Sequence, residues 1–382
     1  MYDSLFEPVR LGDIILANRV VLPPMTRSRA SQPGNLPNEM MAKYYAQRAS
    51  AGLVITEAAQ VEQRGQGYAW TPGIHNQDQL EAWKLITKAT HDQGGKIFLQ
   101  LWHVGRVSHV SFQPNGEPPV APSAVKADSV KVFIETAEGG AQVEPSQPRA
   151  LEINEIKEIV AFYRQAARNA MDAGFDGVEI HGANGYLVNQ FISEVTNLRE
   201  DEYGGCLENR LRFLKEITTE VAEEIGAEKV GVRFSPLFES TEEERLYLGL
   251  LESDPFTTYI SAAKMLNDIG IAYLSIAEAD WNSAPEMPEP FCQALRETFK
   301  GVIMYAGKYT GDKALRMLEK GYGDIFGFGK PFIATPDLPS RLRNNQPMNE
   351  LNAARIFGGG EDGYTDYPEF EQAKHILNTC TQ

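Results

Sequence analysis

The sequence predicts an α/β chain folded as a single (β/α)8 barrel, and three observations carry that prediction. Short apolar runs recur along the 382 residues, each followed by a segment whose apolar positions return with helical spacing, which is the pattern of repeated strand–helix units. The runs are near-continuous in Val, Ile, Leu and Phe, as strands must be when helices cover one face and a packed interior covers the other. No early Gly-rich turn joins a strand to its helix, which favours the closed barrel over an open doubly wound sheet with a dinucleotide crevice.

Taken in order, a small hairpin over 11–17 is expected to close the bottom of the barrel. Strands follow over 19–25, 52–61, 96–103, 177–182, 229–236, 273–279, 302–307 and 324–330. Helices over 78–93, 154–173 and 310–320 run into Gly94, Gly174 and Gly321, because glycine readily takes the backbone conformation that ends a helix. Two stretches break the rhythm. The segment 107–150, after the third strand, is rich in Pro, Gly, Ser and Val and reads as a long excursion containing a hairpin. Loops that follow strands form the functional rim of such a barrel, so this excursion is a candidate lid. A second, acidic stretch covers 238–254, and from Asn344 the chain is expected to return across the top. One domain spans 1–382.

Composition narrows the possible functions. Hydrophobic residues at 42% and charged residues at 23% are ordinary for a folded soluble protein. Against 52 Asp+Glu stand 36 Lys+Arg, a net charge of −16 with no basic stripe, so nucleic acid is not an expected partner. The opening residues lack a basic segment followed by an apolar one, and no apolar run is long enough to cross a bilayer, so a cytoplasmic protein that does not engage membranes is expected. Cys206, Cys292 and Cys380 have no metal-ligand spacing, and the histidines are scattered, so no metal site is expected. No G-x-S-x-G nucleophile turn occurs.

The residues that carry chemistry fall at the C-terminal ends of strands, the catalytic end of a barrel. Thr26 follows the first strand, Ala58 lies in the second, Gln100 in the third, His181 and Asn184 come after the fourth and Arg233 lies in the fifth. The run His181-Gly-Ala-Asn184-Gly-Tyr186 is the most informative. Two donors, His181 and Asn184, could stabilise negative charge growing on a substrate carbonyl oxygen. Tyr186 could supply a proton, although a phenol with a pKa near ~10 serves only a strongly basic carbanion. Read without other context, His181 could instead cap a strand and Tyr186 pack at the rim.

A second cluster suits a phosphate. Ala306-Gly307-Lys308 and Gly329-Lys330 end the seventh and eighth strands, where backbone N–H groups and a short helix often hold that group. Read alone, each is also an ordinary glycine-containing turn. Gly358 to Gly363 matches G-x-G-x-x-G, yet no strand precedes it, so it is not taken as a dinucleotide site. The residues leave open a non-redox lyase or isomerase acting on a phosphorylated substrate.

Several stretches together resemble the old yellow enzyme family. They are Asn18-Arg19-Val20, Pro24-Met25-Thr26-Arg27, Tyr44-Tyr45 with Arg48 to Leu53, Leu99 to Arg106, Ala121-Pro122-Ser123, Gly177 to Leu187, Asp201 to Phe213 and Gly363 to Pro368. The resemblance implies a non-covalent FMN at the barrel mouth, reduced by NADPH or NADH, with an electron-poor alkene as the small-molecule substrate. It implies that Pro24, Met25 and Thr26, then Ala58, Gln100 and Arg233, meet the flavin ring. Ala306, Gly307, Lys308, Gly329 and Lys330 would hold its phosphate, His181 and Asn184 the substrate oxygen, and Tyr186 would be the proton donor. Tyr68, Trp102, Phe357 and Tyr364 stand where the family lines its substrate pocket. A nitroester, nitroaromatic or quinone reductase would use the same flavin site, and both a monomer and a homodimer remain open. Lys330 replaces the family's usual Arg, losing the planar fork that suits a phosphate, and Phe357 stands where several relatives have Tyr.

Overall fold

Among the described residues, eight parallel strands pair in chain order: β1 (Val20–Leu22), β2 (Leu53–Ile55), β3 (Ile97–Trp102), β4 (Gly177–His181), β5 (Val230–Phe234), β6 (Tyr273–Ala277), β7 (Val302–Ala306) and β8 (Ile325–Gly327). β8 returns to pair with β1, so the ring closes and no strand edge is left open. The structure, a computed structural model, describes residues 2–128, 130–137, 139–238, 252–278 and 286–372. Most of the acidic stretch, Ala279 at the end of the sixth expected strand, His375 and Cys380 lie outside the described residues.

Helices wrap the outside: α1 (Glu39–Ala46), α2 (Gln77–Asp92), α3 (Ile153–Asp172), α4 (Leu187–Ile192), α5 (Leu207–Ile225), α6 (Pro255–Ile269), α7 (Glu289–Thr298), α8 (Gly311–Glu319), α9 (Gly329–Ala334) and α10 (Leu338–Arg343). Asn38, Asn76, Asp254 and Thr310 start α1, α2, α6 and α8 by accepting a backbone N–H from the first turn, which satisfies a donor the helix itself cannot. None of the described helices is long and apolar enough to cross a membrane.

The interior is layered because successive strand residues point to opposite faces. On β3, Phe98, Gln100 and Trp102 share a face; Gly177, Glu179 and His181 do so on β4, and Gly231 and Arg233 on β5. In register, Gly177 stands opposite Phe98, and Glu179 opposite both Gln100 and Gly231. The glycines make room: a Cβ on Gly177 would meet the Phe98 ring at 2.4 Å, and one on Gly231 the Tyr273 ring at 2.0 Å. At the bottom, Phe98, Val21, Leu53, Tyr273, Met304 and Ile325 form an apolar layer. A hairpin of Val9–Leu11 and Ile14–Leu16 plugs it, with Leu11 and Leu16 wholly buried. The turn needs Gly12, whose φ is 54° and whose missing Cβ would collide with Glu228 O at 1.8 Å. The hairpin thus begins two residues before the expected 11–17.

The main departure concerns the expected strand 52–61. β2 ends at Ile55, and Ala59–Gln60 resumes pairing with β3. Ile55 pairs with Phe98 and Ala59 with Leu101, so β2 carries one residue more than β3 between those pairs, a bulge at Thr56-Glu57-Ala58. The excursion 107–150 contains the expected hairpin, Val132–Ile134 with Ala141–Val143, and a short parallel pair of Val120–Ala121 with Arg149–Ala150.

Candidate active site

Above the apolar plug the barrel interior turns polar. Gln100 Nε2 donates to Glu179 Oε1 at 2.8 Å, Tyr273 Oη donates to Glu179 Oε2 at 2.9 Å, and Arg233 Nη1 donates to Ser275 Oγ at 3.0 Å. All of these groups are buried. Burial raises the Glu179 carboxyl, which the Arg233 charge and the two hydrogen bonds oppose. Burial likewise lowers Arg233, and Glu179 is what chiefly holds its proton. Glu179, Tyr273 and Ser275 were not among the expected site residues. A carboxylate two positions before His181 in an otherwise apolar strand was the available signal.

His181 sits at the next level. Burial and then the Arg233 charge push its imidazole down to about 3, so the ring is neutral. Its Nδ1 lies 3.3 Å from the Ala183 N–H; the acceptor role there leaves the proton on Nε2, which becomes a donor. Asn184 takes a left-handed φ of 55°, as does Gly185 at 73°. Ser235 Oγ accepts the Asn184 N–H at 2.7 Å and Asn189 Oδ1 the Gly185 N–H at 2.9 Å. This pinned reversal places Tyr186 at the start of α4.

Tyr186 is buried among aromatic rings. It meets Trp102 at 4.9 Å and His181 at 5.0 Å between centroids, both edge to face, and Trp102 stacks against His181 and Tyr68. The Tyr68 and Tyr186 hydroxyls are 3.2 Å apart. Burial, partly offset by that bond, pushes Tyr68 up to about 12. The excursion hairpin supplies Val132, Ile134 and Val143 to the apolar cluster around Trp102, Ala58 and Tyr186. Thus His181, Tyr186, Tyr68, Trp102 and Ala58 come together, with Gln100 and Arg233 beneath them.

Other expected residues are placed differently. Tyr364, expected in the substrate pocket, is wholly buried, stacked on Tyr44 at 4.2 Å with Arg27 and Arg29 over its ring. Its faces are covered, so it presents no surface to a ligand. Phe357 is half exposed on the returning tail segment. Pro24, Met25 and Thr26 line the barrel end after β1, partly exposed, while Gly307, Lys308 and Lys330 are exposed after β7 and β8.

The donor set suits FMN. Gln100 commits its amide nitrogen to Glu179, which leaves its oxygen to accept a ring N–H, and Arg233 brings a buried positive charge to the ring level. At the phosphate end, a Cβ on Gly307 would meet the Glu278 side chain at 2.7 Å, and one on Gly329 the Met25 sulfur at 3.3 Å. The turn at Gly307 therefore has no room for a Cβ unless Glu278 shifts, the one at Gly329 is only tight, and two lysines flank them. Glu278 would repel a phosphate, but Lys313 Nζ, buried beside it at 2.6 Å, balances its charge. Among the described residues, no cluster of three or more His, Cys, Asp or Glu side chains could hold a metal ion.

A family model described as the NADH:flavin oxidoreductase / NADH oxidase family matches residues 4–349. 12-Oxophytodienoate reductase 7 of Oryza sativa subsp. japonica is 41% identical over 387 residues, which cover 97% of this chain and 95% of that protein. The structure of morphinone reductase in complex with tetrahydroNAD superposes with a TM-score of 0.91 at 44% identity, over 97% of this chain and 98% of the other. That of the old yellow enzyme homologue from Zymomonas mobilis superposes with 0.87 at 42%, over 96% and 99%.

Proposed function

Because the chain belongs to the NADH:flavin oxidoreductase / NADH oxidase family, and within it to the old yellow enzymes, with FMN as cofactor and a nicotinamide as reductant, we propose that it reduces the C=C bond of α,β-unsaturated carbonyl compounds. When bound, FMN supplies the hydride that reaches the substrate's β-carbon. Thr26, Ala58, Gln100 and Arg233 hold the flavin ring, and Lys308 and Lys330 with the glycine turns hold its phosphate. The names of the relatives, reductases of 12-oxophytodienoate and of morphinone, support a carbonyl-bearing substrate.

His181 and Asn184 grip the substrate's carbonyl oxygen. A neutral imidazole with its proton on Nε2 is the right donor, because its hydrogen bond strengthens as negative charge grows on that oxygen. Tyr186 then gives its phenolic proton to the α-carbon, so that hydride and proton together add two hydrogens across the double bond. The rings of Trp102 and Tyr68 exclude water around that phenol. The observation that carries this reading is the convergence of a neutral His181 and a buried Tyr186, ring centroids 5.0 Å apart, above a charged interior layer.

Tyr186→Phe tests it by stopped-flow under anaerobic conditions. Reoxidation of the reduced enzyme by a cyclic enone should slow by about 10²–10⁴-fold, the usual worth of a positioned acid, while reduction by NADPH or NADH is unchanged. Equal slowing of both half-reactions would remove Tyr186 from the proton-donor role.

A further inference from the structure

The bulge in β2 turns Glu57 toward the loop that follows β1. Its side chain is buried, and Oε2 accepts the backbone N–H groups of Arg27 at 3.1 Å and Ser28 at 3.2 Å. Ser28 stands at a φ of 55°, a conformation costly for a residue with a Cβ unless its surroundings hold it. The Glu57 N–H in turn donates to Tyr45 Oη at 2.8 Å, tying the bulged backbone to α1. Thr26 precedes this clamp by one residue.

The side chains beyond the clamp reach the other wall. Arg27 donates from Nε to Ile356 O at 2.9 Å and from Nη2 to Gly363 O at 3.0 Å. Arg29 donates from Nε to Gly360 O at 3.1 Å, from Nη1 to Ile356 O at 3.0 Å and from Nη2 to Arg355 O at 2.9 Å. Gly358 N closes the arrangement on Arg27 O at 2.9 Å. The glycine-rich run that mimics a dinucleotide motif is thus a carbonyl cage for two guanidinium groups. Gly358, Gly359 and Gly363, at φ of 64°, 81° and 68°, turn the chain so that its oxygens converge. Phe357 rides on that loop.

We propose that Glu57 is a positioning residue for both walls of the active site: its carboxylate fixes Thr26 toward the flavin and, through Arg27 and Arg29, fixes the loop that carries Phe357. It touches neither cofactor nor substrate. Oε1 is buried without a partner among the described residues, and its charge is balanced by the two arginines. Burial pushes the carboxyl up to about 7, against the Arg27 and Ser28 N–H groups and the arginine charges. The role rests on the reading that Thr26 meets the flavin.

The test uses the FMN-loaded enzyme and two readouts, the midpoint potential of the flavin and the rate of tryptic cleavage at the exposed Arg355. Thr26→Ala sets the direction of the potential change. Glu57→Leu should move the potential the same way and speed cleavage about tenfold, as expected when a buried clamp worth ~1.4 kcal/mol is lost. Glu57→Gln keeps an oxygen facing the two N–H groups and should restore both readouts. A lower melting temperature in Glu57→Leu, with potential and cleavage as in the wild type, overturns the proposal. Should Glu57→Leu fail to fold, Glu57→Asp, which withdraws the charge by one methylene, must move both readouts in those directions, and unchanged readouts overturn it equally. A potential indifferent to Thr26→Ala sinks the reading of Thr26 and the proposal with it. A potential that responds to Thr26→Ala but not to Glu57→Leu sinks only the role of Glu57.

Discussion

The cluster around Trp102 and the cluster around Tyr44 are both stacks of aromatic rings near the barrel mouth, but their polar atoms face different things. Around Trp102, the hydroxyls of Tyr68 and Tyr186 meet each other at 3.2 Å and Tyr68 keeps partial exposure. Around Tyr44, the ring faces are taken by arginines: Arg48 lies 3.7 Å and Arg27 5.0 Å from the Tyr44 centroid, and Arg29 lies 4.3 Å from that of Tyr364. Those guanidinium groups spend most of their N–H donors on backbone carbonyls. The difference teaches that aromatic and basic residues gathered at a barrel mouth do not by themselves mark recognition. What separates a binding surface from a brace is whether donors point into shared space or into the chain.

The largest expected effect that sharpens this contrast belongs to the brace. Arg48 is wholly buried and donates to Phe332 O and Ile333 O at 2.8 Å and to Tyr44 O at 3.0 Å, joining α1 to α9. Arg48→Ala leaves those carbonyls buried and unmatched, so the enzyme should lose about 2–4 kcal/mol of stability in urea unfolding. Affinity of the folded enzyme for a phenolic ligand should not change. A loss of affinity without a loss of stability would dissolve the distinction between the two clusters.

The reverse is expected at His181. His181→Ala should weaken phenol binding by about 10–100-fold, the worth of a hydrogen bond to a charged or polarised oxygen, measured on the folded enzyme and so apart from what the lost ring packing costs in unfolding. Since burial depresses the imidazole to about 3, affinity in the native enzyme should show no imidazole step between about pH 5 and pH 8. The fold favours the neutral ring, so the stability this preference contributes is complete above the unfolded value of about 6.5 and is lost as pH falls toward the folded one. A step in affinity near that unfolded value would mean that His181 charges in place and is not the neutral donor.

How much of this was legible depended on the kind of information each residue carries. The barrel was readable because strand and helix periods alternate along the chain, and the excursion because its composition breaks that alternation. The interior layer was half readable: Gln100 and Arg233 stood out as polar residues in strands, while Glu179, in register with Gln100, did so only once strand parity was followed down the barrel. The bulge at Glu57 was hidden, since an extra residue in β2 is defined only by its pairing with β3. Tyr364 was misread for a related reason. A tyrosine in a tail segment looks the same whether its ring meets a ligand or an arginine, and the arginines that cover it come from more than 300 residues earlier in the chain.

That ambiguity frames the smallest prediction. Tyr364 Oη is buried with no hydrogen-bond partner among the described residues, and burial raises its pKa well above the usual phenol value. A desolvated hydroxyl that makes no bond is a cost to the folded state, whereas the ring stacked on Tyr44 is not. Tyr364→Phe keeps the ring and removes the cost, so stability should stay level or rise by up to about 1 kcal/mol, with ligand affinity unchanged. Tyr68→Phe deletes a hydroxyl that does have a partner, Tyr186, and should therefore alter ligand affinity and slow enone-driven reoxidation. If the two substitutions instead changed affinity alike, Tyr364 would have to reach the ligand after all, which its covered ring could do only if the Arg27 and Arg29 cage opened.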